Sequence, residues 1–236
     1  MQLQPIKQSF QVQYDYQLYF TSGLFALENQ MFVNLIADYK DFEPVKLLFV
    51  LDDGVKHHHP TLIPQIEDYC KAHRQTIKYT DTLVLPGGEQ VKNSDTAIES
   101  VLKGVNDNKI CRHSFVVVIG GGAVIDMVGY AAAIAHRGVK LIRIPTTVLS
   151  QNDSAVGVKN SVNAFKKKNF LGTFAPPFAI INDSDFLETL EQRDWISGIS
   201  EAIKVALIKD KTFFKYIANN AVALKNREME PMQYVI

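Results

Sequence analysis

Two cysteines in 236 residues, Cys70 and Cys111, are too few for a disulfide-stapled secreted scaffold. They form no CxxC pair and sit at no metal-ligand spacing, so both read as small buried or half-buried thiols in a reducing cytoplasm. Charge of one sign is also missing, because 25 basic residues offset 25 acidic ones. A nucleic-acid or anionic-membrane binder selects a basic surface, so neither partner is expected. No run of about 18 apolar residues is present to cross a bilayer. The opening stretch, Met1 to Tyr16, lacks the apolar segment of a secretory signal. There is no internal repeat, low-complexity tract or flexible linker. What remains is a globular composition, 47% hydrophobic and 21% charged, long enough to bury a sizeable core.

Hydrophobic periodicity then sets the organisation. Phe10 to Leu18 alternates, with Phe10, Val12, Tyr14 and Tyr16 on one side, which predicts a half-buried strand at a sheet edge. Leu24 to Tyr39 reads as a helix. Lys46 to Leu51 is a short apolar run ending in Asp52-Asp53-Gly54, as expected of a parallel strand buried on both faces. A helix from Leu62 to His73, a strand from Thr82 to Leu85 and a helix capped by Ser94 and Asp95 continue the pattern. Ser114 to Ile119, Val139 to Ile144 and Phe178 to Ile181 read as further strands, with a helix from Val124 to Ala135. Strands alternating with helices predict an α/β fold with a Rossmann-like open sheet. After about Asp183 only helices follow: Asp185 to Leu190, Asp194 to Lys209, and Thr212 to Leu224. The expected domains are therefore 1–183, a nucleotide-binding α/β unit, and 184–236, the start of an all-α unit.

Five places carry chemistry. The turn Gly120-Gly121-Gly122 lets a ligand approach the backbone, and the helix after it offers free N–H groups to a pyrophosphate; a tight turn without a ligand is the alternative. Asp52, at the end of a central strand, suits a ribose hydroxyl, or else a turn or helix cap. Pro86 to Lys92 follows another strand on the same sheet edge. The polar block from Pro145 to Lys159, with Lys166 to Asn169 after it, reads as a long functional loop with lysines able to hold a phosphate. In Ser197 to Lys204, Ile196, Ile199, Ile203 and Leu207 form an apolar stripe, and Glu201 and Lys204 are helical neighbours. They read either as a surface ion pair or as a metal carboxylate beside a substrate-binding ammonium. His57-His58-His59 reads as an exposed loop, since adjacent residues point apart.

Taken together, these blocks resemble the 3-dehydroquinate synthase family of sugar-phosphate cyclases. The matching pieces are PGGEQVK (86–92), GGGAVIDMVGYAAA (120–133), HRG (136–138), PTTVLSQNDSAVGVK (145–159), KKNFLGTFAPP (167–177) and SEAIKVALIKD (200–210), in the family's order. The resemblance implies NAD contacts at Asp52, Glu89, Lys92, Gly121, Gly122, Asp126, Thr146, Thr147, Lys168, Phe186 and Thr189. It implies substrate positions at Asp153, Lys159, Asn169 and Lys204, an arginine, Arg137, that reaches a phosphate across a homodimer interface, and a metal ligand at Glu201. The implied cofactors are NAD and a divalent metal, zinc or cobalt. The implied chemistry is transient oxidation of a phosphorylated sugar by NAD, phosphate elimination, re-reduction, and ring opening with aldol closure to a carbocycle.

Three departures lie beside the substrate positions. The family's Gly-Gly-Lys-Thr is here Gly157-Val158-Lys159-Asn160, its Gly-Lys-Asn is Lys167-Lys168-Asn169, and its Ile-Lys-Tyr-Gly is Ile203-Lys204-Val205-Ala206. These resemble the sister valiolone synthases that act on sedoheptulose 7-phosphate, so two product classes stay open: 3-dehydroquinate and a valiolone-type carbocycle. The family also carries two metal-binding histidines beyond the equivalent of residue 236. The chain is therefore expected to be C-terminally truncated and, by itself, inactive. The rival readings are a metal-dependent alcohol or glycerol dehydrogenase of the same fold and a non-catalytic NAD-binding fragment.

Overall fold

The structure, a computed structural model, describes residues 5–39 and 44–236; the first four residues of the opening stretch lie outside it. Its centre is a six-stranded parallel sheet in the order β1-β8-β5-β4-β2-β3. The strands are β1 (Gln17–Thr21), β2 (Val45–Asp52), β3 (Ile77–Leu85), β4 (Phe115–Gly120), β5 (Lys140–Pro145) and β8 (Ala179–Asp183). β2 pairs β4 with Leu51 opposite Ile119, and β3 lies on its other side. The chain therefore reverses its direction of travel between β2 and β4. Open α/β sheets bind ligands at the carboxyl ends of strands flanking such a switch point.

The central strands are buried on both faces, as their unbroken apolar runs require. Leu47, Phe49 and Leu51 of β2 pack with Phe32 and Ile36 of α1 (Met31–Ala37) and with Ile66 and Tyr69 of α3 (Leu62–Ala72). Leu48 and Val50 face the opposite way. They meet Val101 and Val105 of α4 (Asp95–Asp107) and Val124, Val128 and Ala132 of α5 (Gly122–Ile134). Ser94 caps α4, its hydroxyl accepting from Ala97 N at 3.2 Å. The two thiols differ: Cys70 is buried in the core, where burial chiefly pushes it up to about 12, whereas Cys111 is exposed before β4 with its Sγ 3.6 Å from Ser114 Oγ.

Several sequence expectations give way. Residues 5–16 form no strand, and Phe10, Val12 and Tyr14 are exposed; the edge strand starts only at Gln17, where pairing with β8 becomes available. The expected helix from Leu24 begins at Met31. Asn29 intervenes, donating to Gly23 O and Ser22 O at 3.2 Å while its Oδ1 accepts from Met31 N, which holds 22–29 as a turn. His57 and His58 belong to a short helix, α2 (Asp53–His58), capped by Asp52 rather than to a loop. The polar block is no long loop either. It closes in a single π-helical turn at Ser150–Ser154 and then runs into an antiparallel hairpin, β6 (Lys159–Ala164) and β7 (Lys167–Phe174).

After Asp183, every regular element among the described residues is a helix. These are α6 (Asp185–Glu188), α7 (Gln192–Lys209), α8 (Lys211–Asn219), α9 (Ala221–Lys225) and α10 (Met229–Val235), so the single helix expected over 212–224 is broken in two. The buried face of α7 is Trp195, Gly198, Ile199, Ala202 and Ala206, whereas Ile196 and Leu207 are exposed. The reason is close approach: a Cβ on Gly198 would fall 2.5 Å from Leu149 N and Val148 Cβ, so the helix docks through its glycine. Asn152 fixes the same contact, donating from Nδ2 to Gly198 O at 3.0 Å. No described helix is long and apolar enough to cross a membrane.

Candidate active site

At the switch point lies a cleft of about 480 Å³. Asp52, Gly121, Gly122, Thr146, Thr147, Phe186 and Thr189 line it, seven of the eleven residues that the resemblance implied for NAD. Asp52 is positioned tightly. Its Oδ1 accepts from Gly54 N at 2.9 Å, and a Cβ on Gly87 would meet the same oxygen at 2.5 Å. The capping reading of this aspartate holds, and the same residue lines the cleft. Burial raises its pKa, opposed by the N–H groups of Gly54 and Gly121. The rim opposite is the start of α5, where Gly121 is the N-cap and offers no side chain to the first-turn N–H groups. Those donors and the positive end of the helix dipole face the cleft. Thr146 N donates to Gly120 O at 3.1 Å, which holds the ends of β4 and β5 together beneath it.

A second cavity, about 750 Å³, adjoins the first. Gly122 lines one and Ser154 the other, and a Cβ on Gly122 would lie 2.4 Å from Ser154 Oγ. Asp126, Asp153, Lys159 and Asn169 line this cavity. Behind it sits Lys92, only 3% exposed, on the one-turn helix Glu89–Asn93. Its ammonium donates to Asp126 Oδ2 at 2.7 Å, to Ser161 Oγ at 3.2 Å and to Asn169 Oδ1. Burying an ammonium requires this degree of pairing. Lys168 and Glu89 approach to 4.0 Å as an exposed pair, a contact of little energetic weight.

Glu201 and Lys204 are bonded to each other on α7. That bond chiefly raises the Lys204 pKa, with the charges of Glu201 and Asp153 adding to it. Neither residue lines either cavity, and Lys204 is largely exposed. Arg137 lies apart from both cavities. It is exposed in a third, of about 450 Å³, with Tyr14, Gly138, Phe174 and Pro176.

One contributor was missed by the sequence reading. His59 lines the first cleft, and its Nε2 lies 2.8 Å from Thr189 Oγ1. Burial chiefly lowers its pKa, reinforced by His58 and opposed by Asp185 and Glu188. Only its contact with a residue 130 positions away reveals it, and no local pattern carries that.

The chemistry of the lining fits a dinucleotide: a carboxylate for a ribose, a side-chain-free helix start for a pyrophosphate, and a volume in the range of small-molecule sites. A metal is a different matter. Among the described residues no group of three or more His, Cys, Asp and Glu is placed to hold one. Glu201 alone is not a cation site, since a catalytic ion takes about three protein ligands.

Known proteins share this arrangement. A family model for the 3-dehydroquinate synthase N-terminal region matches residues 82–197. A 3-dehydroquinate synthase from Shewanella sp. (strain MR-4) is 37% identical over 191 residues, 81% of this chain and 51% of that protein. A 2-epi-5-epi-valiolone synthase from Streptomyces hygroscopicus subsp. jinggangensis 5008, solved with NAD+ and Zn2+ bound, superposes with a TM-score of 0.84 at 26% identity, over 98% of this chain and 60% of that one. A glycerol dehydrogenase from Schizosaccharomyces pombe, at 19% identity and a TM-score of 0.58 over 81% of this chain and 43% of that one, shares the fold. The chain spans about half the length of the curated relatives it matches.

Proposed function

We propose, from the premise that this chain belongs to the 3-dehydroquinate synthase family of sugar-phosphate cyclases, that it carries the NAD-binding and part of the substrate-binding machinery of a cyclase acting on a phosphorylated sugar. The observation that carries the proposal is the pair of adjoining cavities. One has a dinucleotide's complement of groups, and the other is lined by Asp126, Asp153, Lys159 and Asn169. Residues 1–183 act as the nucleotide-binding unit and 184–236 open the helical one.

NAD, when bound, supplies reversible hydride transfer. The chain's own residues do the rest of the positioning. Asp52 accepts from ribose hydroxyls, and Gly121 and Gly122 admit the pyrophosphate to the N–H groups of α5. Thr146, Thr147, Phe186 and Thr189 close the cleft around the cofactor. Glu89 and Lys168 hold its outer edge, and Lys92 and Asp126 fix the wall between cofactor and substrate. Asp153, Lys159, Asn169 and Lys204 bind the oxygens and phosphate of the sugar, with lysines acting as point charges. Glu201 would supply one ligand to a divalent metal, which would stabilise negative charge on substrate oxygens. Arg137, exposed and outside both cavities, serves the site of a second copy in a homodimer.

The departures at Val158, Asn160 and Val205 favour sedoheptulose 7-phosphate, the substrate of the valiolone synthases, over the 3-dehydroquinate precursor. The test is calorimetric titration of sedoheptulose 7-phosphate into the NAD-saturated chain. The expected result is one saturable site, with no net NADH formed. Accumulation of NADH from a simple alcohol would establish the dehydrogenase reading instead.

A further inference from the structure

Arg143 is fully buried in the middle of the sheet, yet among the described residues no carboxylate is hydrogen-bonded to its guanidinium. It lies on β5 and points to the α5 side, opposite the face that Ile142 and Ile144 cover. Nη1 donates to Ala155 O at 2.7 Å and to Gly157 O at 2.5 Å, and Nη2 donates to Asn160 Oδ1 at 2.7 Å. Its Nε has no hydrogen-bond partner among the described residues. Removing a charge from water is costly, and charge-assisted bonds to three fixed acceptors offset that cost only if the acceptors stay in place. The guanidinium therefore constrains the segment 155–160 as strongly as the segment constrains it.

The acceptor at 160 is itself seated. Asn160 donates from Nδ2 to Ala175 O at 3.1 Å, and its Oδ1 lies where a Cβ on Gly129 would be, 1.9 Å away. Asn160 is also a position where the chain departs from the family pattern. Gly157, Val158, Lys159 and Asn160 of the clamped segment line the larger cavity, so a substitution at Gly129, which lies outside it, separates positioning from direct contact. Asp153 lies two residues before Ala155, and Lys159 immediately precedes Asn160.

We propose that Arg143, through Asn160 seated over Gly129, is a positioning residue that fixes the 155–160 segment and so aims Asp153 and Lys159 into the substrate cavity. This rests on the cyclase reading, because it assigns that cavity to the phosphorylated sugar. Arg143 touches neither cavity and acts only through the segment. The cofactor cleft does not depend on it, since Asp52 accepts from Gly54 N and Gly121 O accepts from Ile125 N, both outside the segment.

The test uses Asn160→Thr and Gly129→Ala in the 236-residue chain, because substituting Arg143 risks unfolding the sheet. Four quantities are compared with the unaltered chain: the melting midpoint, NAD affinity by calorimetry, sedoheptulose 7-phosphate affinity of the NAD-saturated protein, and amide exchange across 150–160. The expected result is NAD affinity within about twofold, sugar-phosphate affinity lower by about tenfold or more, and faster exchange confined to 150–160. Arg143→Lys, which keeps the charge, is expected to recover part of the protection that Arg143→Gln loses. Unchanged exchange overturns the proposal. So does unchanged sugar-phosphate affinity in variants whose exchange is faster, and so does a parallel loss of NAD affinity, sugar-phosphate affinity and melting midpoint. If the unaltered chain binds NAD but no sugar phosphate, the cyclase reading of the cavity fails, and exchange across 150–160 alone then decides whether Arg143 holds the segment.

Discussion

Replacing Lys92 by methionine isolates a buried charge with three partners. The side chain is 3% exposed and satisfies Asp126, Ser161 and Asn169 at once. Methionine keeps the volume and removes the donors, so Asp126, 21% exposed, is left with a carboxylate that water only partly reaches. Breaking a buried pair by deleting one partner costs about 3–5 kcal/mol, and the partial exposure of Asp126 puts this case near the lower end, about 3 kcal/mol. For a chain of this length that corresponds to a fall of about 6–12 °C in melting temperature. Urea denaturation of the Lys92→Met protein and of a Lys92→Met/Asp126→Asn double variant measures it. The second substitution removes the stranded charge and is expected to recover about half of the loss or more. A single variant within about 0.5 kcal/mol of the parent would show that this cluster does not hold the wall between the cavities.

Other consequences follow from the same geometry. Asp52 keeps its proton to a higher pH in the fold than its ordinary value of 3.8. The folded state therefore binds more protons just above that value, and the stability contributed by the neutral carboxyl is lost as pH rises through the folded pKa. Ribose hydroxyls donate to the ionised form, so NAD affinity is expected to rise with pH across the same window, and calorimetry of Asp52→Asn should show that slope abolished. Gly198→Ala places a methyl against Leu149 N and Val148 Cβ, so α7 must move off the 148–152 turn at a cost of about 1–3 kcal/mol; an unshifted denaturation midpoint would contradict the docking described. Ser154 Oγ is buried without a partner among the described residues, so Ser154→Ala is expected to be neutral or to stabilise by up to about 1 kcal/mol, and a loss larger than that in urea denaturation would count against it.

Much of the sheet was legible because parallel strands covered on both faces are continuous apolar runs. Val45–Asp52 and Phe115–Gly120 read directly, and so did the glycine turn after the second of them. The alternation at Phe10 to Tyr16 was misleading, because alternation records only the preference of a segment for a sheet, and none of the described strands pairs with it. The hairpin Lys159–Phe174 was missed for the opposite reason. Its strands are rich in Asn, Ser and Lys, and β7 is exposed along most of its length, so no hydrophobic period marks it. In the site, Asp52, Gly121 and Gly122 were legible from their places at strand ends, and Thr146 and Thr147 only through the family resemblance. His59 and Arg143 were not, since their importance lies in contacts with Thr189 and with the carbonyls of Ala155 and Gly157.

The account turns on NAD occupying the cleft between Asp52 and the start of α5. Only Thr147 Cγ2, at 3.7 Å, lies within 4 Å of a Cβ at Gly121, so Gly121→Ala leaves the fold intact and puts its methyl into the cleft. Calorimetric titration of NAD into the chain and into this variant is predicted to give one saturable site in the first and an affinity lower by about tenfold or more in the second. No saturable binding to the unaltered chain, or equal affinity in both, would contradict it.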